Sequence, residues 1–196
     1  MPVALAVLTR DLRVHDNPVL SRALAEAGQV VPVFVLDDSI VRGGFFRPNR
    51  AALLAESLAD VDSSLRARGS RLVLRRGAWA RQVALLAAEA GAESVHVARD
   101  VSGYAVRRLR DLTGQLPRGV TLHAHDDAVV VVPPGQVAAA GKDHMAVFTP
   151  YHRRWLSAPT RQLLPAPGRV PGPRVPSLGL PTAADRLAQL FPLVTP

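Results

Sequence analysis

The sequence predicts an α/β protein built on a doubly wound, five-stranded parallel sheet of Rossmann-like type. Short apolar runs rich in valine and leucine alternate with stretches whose apolar residues recur at helical spacing. Five such runs joined by four helical crossovers make a doubly wound sheet, because parallel crossovers are nearly always right-handed.

The elements follow in order. Val3-Ala4-Leu5-Ala6-Val7-Leu8 reads as a buried first strand. Asn17-Pro18 then supplies a capping side chain and a proline at the first helical position, starting a helix that runs to Gly28. A second strand covers Val30 to Leu36 and ends at Asp37-Asp38. A glycine-containing loop leads to a helix over Asn49–Arg68, closed by Gly69, with Leu54, Leu58, Val61 and Leu65 on one face. Three further strands are predicted at Arg71–Leu74, Ser94–Val97 and Val120–His125. The helices between them cover Trp79–Ala90 and Gly103–Leu116.

From Ser157 the character changes: "SAPTRQLLPAPGRVPGPRVPSLGLPT" is dense in proline, lacks periodicity and reads as an extended linker. A short helical piece, Ala183–Leu190, follows it. The expected division is therefore a folded domain over 1–156 and a proline-rich linker over 157–196.

Bulk properties narrow the function classes. With 196 residues, 48% of them hydrophobic, the chain can bury one good core. The absence of cysteine excludes disulfides, Cys-ligated zinc and thiol catalysis, and suits a reducing cytoplasm. No apolar run is long enough to span a bilayer. The apolar N-terminal run has no basic region before it and charge directly after it, so no signal peptide is expected and the protein is expected to be soluble and cytoplasmic. A formal charge of +8 suits a phosphate-rich partner such as nucleic acid. Lys142 is the only lysine, however, and an arginine- and alanine-rich composition explains the charge equally well as the bias of a GC-rich genome.

The chemistry concentrates in "LTRDLRVHDNPVL", residues 8–20. In an open doubly wound sheet, ligands sit beyond the carboxyl ends of the strands, where the strand order reverses. A dinucleotide phosphate would need Gly-x-Gly-x-x-Gly at this turn, because the backbone must approach the pyrophosphate closely. Instead Arg10 and Arg13 oppose Asp11 and Asp16. These charges read either as a self-compensating turn that pins the first helix or as the polar wall of a pocket for a planar ligand. "HAHDD" places His123 and His125 on one strand face with Asp127 beyond; such pairs are commonly surface residues, and no metal site is expected. No nucleophile–base–orienter set is evident, Ser102 and Thr149 having no motif around them.

The turn "TRDLRVHDNPVL" resembles the opening motif of the DNA photolyase/cryptochrome family. "RPNRAALLAESLADVDSSLRARGSRLVLRRG", "ARDVSGYAVRRLRD" and "PPGQVAAAGKDHMAVFTPYHRRW" are similar to later family segments, in the same order across residues 3–156. The pattern as a whole is similar to actinobacterial photolyases of the deazaflavin type. The resemblance implies an N-terminal α/β domain that carries a light-harvesting antenna chromophore. A separate helical domain, outside this chain, would hold FAD and damaged DNA. Light energy would pass to reduced FAD, which splits a cyclobutane pyrimidine dimer. The chain alone is accordingly expected to be inactive in repair. A cryptochrome-like sensor module and a generic nucleotide-binding α/β domain are the alternatives.

The family's antennas are 8-hydroxy-5-deazaflavin, an ordinary flavin or a folate. Folate binders carry an acidic residue at the position of Tyr104, whereas the deazaflavin type has an arginine and an aspartate matching Arg50 and Asp100. A planar tricyclic ring needs an apolar slot with a few polar groups. Phe34, Val35 and Leu36 could form one wall and Leu53 or Leu54 another. Arg50 could pair with ring oxygens and Asp100 could accept hydrogen bonds, while Arg10, Asp11, Asp37 and Tyr104 complete the candidate set. The same residues have structural readings: the leucines as core, Arg50 as a partner of Asp37 or Asp38, and Asp100 as a helix cap. Thr9 and "DVSGYA" depart from the family pattern, and the family's site borrows a basic residue from the helical domain. "TPYHRRWL" puts Arg153, Arg154 and Trp155 near the start of a helix, for nucleic-acid contact or, as the family implies, for docking against the helical domain.

Overall fold

Strand β1 (Val3–Leu8) is buried along its whole length because it lies in the middle of the sheet and feeds both faces. Its residues alternate between two apolar layers, as the two-residue period of a strand requires. Ala4, Ala6 and Leu8 enter one core, and Val3, Leu5 and Val7 enter the other.

In the computed structural model, which describes residues 1–43, 46–139, 141 and 144–180, five parallel strands lie in the order β3-β2-β1-β4-β5. The other strands are β2 (Gln29–Asp37), β3 (Val73–Gly77), β4 (Ser94–Ala98) and β5 (Thr121–His125). Helices α1 (Pro18–Glu26) and α3 (Pro48–Arg66) cover one face; α4 (Trp79–Ala90) and α5 (Gly103–Thr113) cover the other. The order reverses between β1 and β4, which opens a crevice at their carboxyl ends. The predicted fold class is the one observed. Helix α1 begins where Asn17 and Pro18 place it: the Asn17 side-chain oxygen accepts from the Leu20 N–H at 2.9 Å.

Several predicted boundaries shift. Strand β3 was expected at Arg71–Leu74 and lies at Val73–Gly77. Arg75 and Arg76 extend it as an edge strand, neutralised by Glu89 and Asp38 respectively. Hydrophobic patterning is blind to such residues. A four-residue helix, α2 (Asp38–Val41), capped by Asp37, was not foreseen. Helix α6 (Phe148–Leu156) holds Arg153, Arg154 and Trp155 at its C-terminal end, not near its start, because Val147 is its N-cap. The predicted helical piece at Ala183–Leu190 lies outside the described residues.

The proline-rich segment forms no helix or strand over 157–180, yet it is bound tightly to the domain. Asp16 donates its N–H to Leu164 O at 2.8 Å, and Val170 donates to Arg68 O at 2.8 Å. Val30 donates to Pro171 O at 2.7 Å, and Leu178 to Leu74 O at 2.9 Å. This strap runs from the turn after β1, past the end of α3, to the open edge of β3. Val170 is buried in the α1/α3 core and Val175 in the opposite one, each burial contributing about 1.5–3 kcal/mol. Gly172 crosses β2 so closely that a Cβ there would meet the Val30 carbonyl oxygen at 2.2 Å. Covering an edge strand in this way removes a template for unwanted pairing.

Candidate functional site

The crevice at the strand reversal holds a cleft of about 150 Å³. Thr9 and Arg10 enter it from the end of β1, Phe34 and Val35 from β2, and Asp100, Ser102 and Tyr104 from the β4–α5 connection. Ile40, Trp79 and Arg108 complete the wall. The polar groups are arranged by the local chain. Asp100 Oδ1 accepts from the Ser102 N–H at 3.0 Å, while Oδ2 accepts from Arg10 at 3.0 Å across the crevice. That ion pair is lopsided: the Arg10 side chain is 66% exposed and that of Asp100 13%. Ser102 in turn caps α5, leaving Tyr104 and Arg108 one helical turn apart on the same face.

Tyr104 donates its hydroxyl hydrogen bond to Asp37 and lies 3.2 Å from Ser39 Oγ. Burial, followed by that carboxylate, raises the Tyr104 pKa, so the phenol stays protonated and donating. Arg108 lies over the Trp79 ring at 4.1 Å and 5.4 Å from the Tyr104 ring. Burial pushes its pKa down, but a guanidinium starts so high that it keeps its charge. The cleft therefore offers aromatic surface, two cationic groups and one carboxylate within a single slot. A second and wider cleft of about 610 Å³ lies on the other side of Asp100, lined by Val101, Val106, Leu109, Arg99 and Arg110.

Of the residues singled out from the sequence, Arg10, Phe34, Val35, Asp100 and Tyr104 are brought together here. Asp37 stands behind Tyr104, holding its hydroxyl and capping α2 through Ser39. Leu36 is fully buried and Leu54 packs against the same core; neither lines the cleft. Leu53 is exposed. Arg50 lies exposed in the first turn of α3 and is not among the lining residues. Asp38 pairs with Arg76 at 3.0 Å.

Asp11 lies buried below the turn. Its Oδ1 accepts from the Thr9 N–H at 2.9 Å, and its Oδ2 has no partner among the described residues. Burial is the main cause of its raised pKa. The opposed-pair reading of the turn holds only for Arg13 and Asp16, 3.7 Å apart; Arg10 instead reaches Asp100. Asp16 is held chiefly by Arg161 of the strap, which lowers its pKa to about 2. Trp79 and Arg108 were missed. The Tyr104–Arg108 spacing of one helical turn was the available signal for the arginine.

The histidines of "HAHDD" lie in a separate network on the α1 face. Arg22 donates to His125 Nδ1 at 2.9 Å, and His125 Nε2 is 3.0 Å from His96 Nδ1. Arginine can only donate, so the neutral His125 carries its proton on Nε2 and passes a hydrogen bond to His96. His96 then carries its own proton on Nε2, facing Glu26 at 3.4 Å and Ser94 Oγ at 3.2 Å. Arg22 and Glu26 are four residues apart on α1, so the chain of contacts starts and ends on the same helix. Burial is the first cause of the low pKa of both His96 and His125, about 4 in each case. Asp127 belongs to Arg22 through bonds of 2.8 and 2.7 Å and does not join the histidines as a ligand set.

Comparison with known proteins places this arrangement. A family model described as DNA photolyase matches residues 4–170. The chain is 49% identical to a deoxyribodipyrimidine photo-lyase of Streptomyces griseus, over 90% of this chain and 38% of the relative. It is 31% identical to a cryptochrome DASH of Natronomonas pharaonis, over 97% of this chain and 44% of the relative. The chain thus spans less than half the length of either. Among solved structures, a cryptochrome of Synechocystis shares the fold with a TM-score of 0.80 at 23% identity, over 95% of this chain and 40% of that one. An archaeal photolyase of Sulfolobus tokodaii, solved with two FAD molecules, does so with a TM-score of 0.72 at 22% identity, over 97% of this chain and 42% of that one. Among the described residues, no helix is long and apolar enough to cross a membrane.

Proposed function

The chain belongs to the DNA photolyase family, and we propose that it is the antenna-binding N-terminal domain of a deoxyribodipyrimidine photolyase. The observation that carries this reading is the position of the cleft. It opens where the strand order reverses, with Arg10 and Asp100 facing each other across it. The proposed ligand is 8-hydroxy-5-deazaflavin, with an ordinary flavin or a folate as the competing occupants. When bound, such a chromophore absorbs light and passes the energy to a reduced flavin.

The residues of the cleft suit a planar ring that carries negative charge. Phe34 and Trp79 supply apolar walls, and the Arg108 cation, held over Trp79, supplies a fixed positive field. Asp100 accepts from ring N–H or ribityl hydroxyl groups, and Arg10 can turn from Asp100 to a ring oxygen because it is mostly exposed. Tyr104, anchored on Asp37, holds that wall in place. Arg50, in the first turn of α3, is the further arginine that the family resemblance assigns to the ring oxygens. The cleft is smaller than the roughly 300 Å³ at the lower end of ligand pockets, which suits a site completed by a helical domain carrying FAD and damaged DNA. Repair would require that domain, and the setting would be the cytoplasm. The similarity to a cryptochrome DASH favours a light-sensor module as the second reading, since it would use the same cleft.

The test is a fluorescence titration of the protein with 8-hydroxy-5-deazariboflavin, beside FMN and a reduced folate. Saturable binding of the deazaflavin, weakened about tenfold or more in both Asp100→Ala and Arg50→Ala, is the expected result. Preference for FMN or folate would reassign the antenna. Binding of ATP in place of all three would overturn the reading in favour of a generic nucleotide domain.

A further inference from the structure

We propose that Glu26, His96 and His123 form a binding site for a divalent transition-metal ion, zinc foremost, between α1 and strands β4 and β5. It stands apart from the cleft: His96 is four residues before Asp100 on the same strand line, roughly 13 Å away, and faces α1. One ligand atom from each residue lies within 4.8 Å of the other two. Glu26 Oε2 is 3.4 Å from His96 Nε2 and 3.3 Å from His123 Nε2. Tetrahedral zinc with bonds of about 2.0–2.1 Å requires ligand atoms about 3.3–3.4 Å apart, so two of the three edges already have that length.

The third edge, between the imidazoles, closes by a small turn of His123. The His96 and His123 rings are stacked with centroids 4.7 Å apart and planes 22° from parallel, so their Nε2 atoms face Glu26 side by side. His123 is free to make this turn because it lies on the edge strand β5 and its side chain is 36% exposed. Glu26 is 44% exposed, which leaves solvent at the fourth position. Two imidazoles and a carboxylate, with no thiolate, are a ligand set for zinc and its neighbours in the first transition row.

Metal binding reverses the hydrogen bond between His96 and His125. His96 moves its proton from Nε2 to Nδ1 and donates to His125 Nε2, 3.0 Å away, which becomes its orienting partner. His125 then carries its proton on Nδ1, and Arg22 gives up that contact while keeping its paired bonds to Asp127. His96 and His125 each keep a single ring proton, so the change within this pair is a shift of tautomers. The ion would tie α1 to two strands and act on stability, not on light capture.

The experiment is a titration of the intact chain with cobalt(II), read by its visible absorption, followed by zinc competition and thermal unfolding. Saturation at one equivalent, intense tetrahedral bands bleached by zinc, and a zinc-dependent rise in Tm are expected. Glu26→Gln and His123→Asn, both at partly exposed positions, should each weaken binding at least tenfold and abolish the rise in Tm. The absence of cobalt bands and of any zinc shift would overturn the proposal. So would undiminished binding in both variants, which would assign the ion to His15, His144 or His152.

Discussion

Strand β4 ends at one charged contact and carries another halfway along, and the two are built in opposite ways. At the crevice, Arg10 reaches Asp100 from solvent, and either partner can exchange the other for a ligand. In the middle of the strand, His96 is 1% exposed and held between His125, which Arg22 orients, and Glu26. The first contact costs little to break from the Arg10 side, which is mostly exposed, while Asp100 keeps its bond from the Ser102 N–H. The second is costly to break, since each donor left unpaired in the core pays its full desolvation. A recognition site and a structural site can thus be told apart by burial, even when they use the same kinds of side chain.

His96→Leu gives the sharpest contrast. It should lower unfolding free energy by about 2–4 kcal/mol in urea melts, because Glu26, Ser94 and His125 all lose a partner. A cost below about 1 kcal/mol would mean that the histidine network is no more structural than the crevice pair. Gly172→Ala comes next, with an expected loss of more than about 1 kcal/mol, because the new Cβ would force the strap off Val30. The same melts check it, and faster proteolysis between residues 157 and 180 should accompany the loss.

Acid stability carries a third expectation. Arg161 holds the Asp16 pKa at about 2, below its ordinary 3.8. The unfolded chain therefore binds the proton first as pH falls, so the stabilisation is complete above about pH 4 and is lost as pH falls through about 2. Asp16→Asn should flatten the pH dependence of Tm in that window and change it little at pH 7 to 8 beyond a constant offset. The smallest effect belongs to Arg10→Ala: less than about 0.5 kcal/mol on stability. Its chromophore affinity should nevertheless fall several-fold in the fluorescence titration, and a stability loss equal to that of His96→Leu would erase the distinction.

How much of this was legible in the sequence follows from which forces were local. The five strands, their crossover helices and the Asn17 cap were readable because apolar period and capping chemistry act within a few residues. A topological rule about strand ends put the loop holding Arg10 beside the crevice, but the Arg10–Asp100 ion pair itself was not expected, Arg10 having been read against Asp11 and Asp16. Strand β3 was misplaced because its arginines are balanced by Asp38 and Glu89, whose partnership no local pattern displays. The packing of Arg108 on Trp79 joins two helices and was equally invisible, although its spacing from Tyr104 was a hint. Proline density announced a segment without regular structure, and none forms over 157–180. It said nothing of Val170 and Val175, whose burial depends on strands more than a hundred residues earlier.

The distance between an edge and its cover has a consequence for synthesis. Ser177, which receives the Leu74 N–H, lies 103 residues after it. At about 5–20 residues per second, the ribosome delivers the cover roughly 5–20 s after the edge has emerged. During that interval β3 is a nascent strand without its guard, and neighbouring chains on the same message present the same exposed backbone. The two arginines of β3 are in place from the start, and charged side chains on an edge strand disfavour such pairing before the strap arrives.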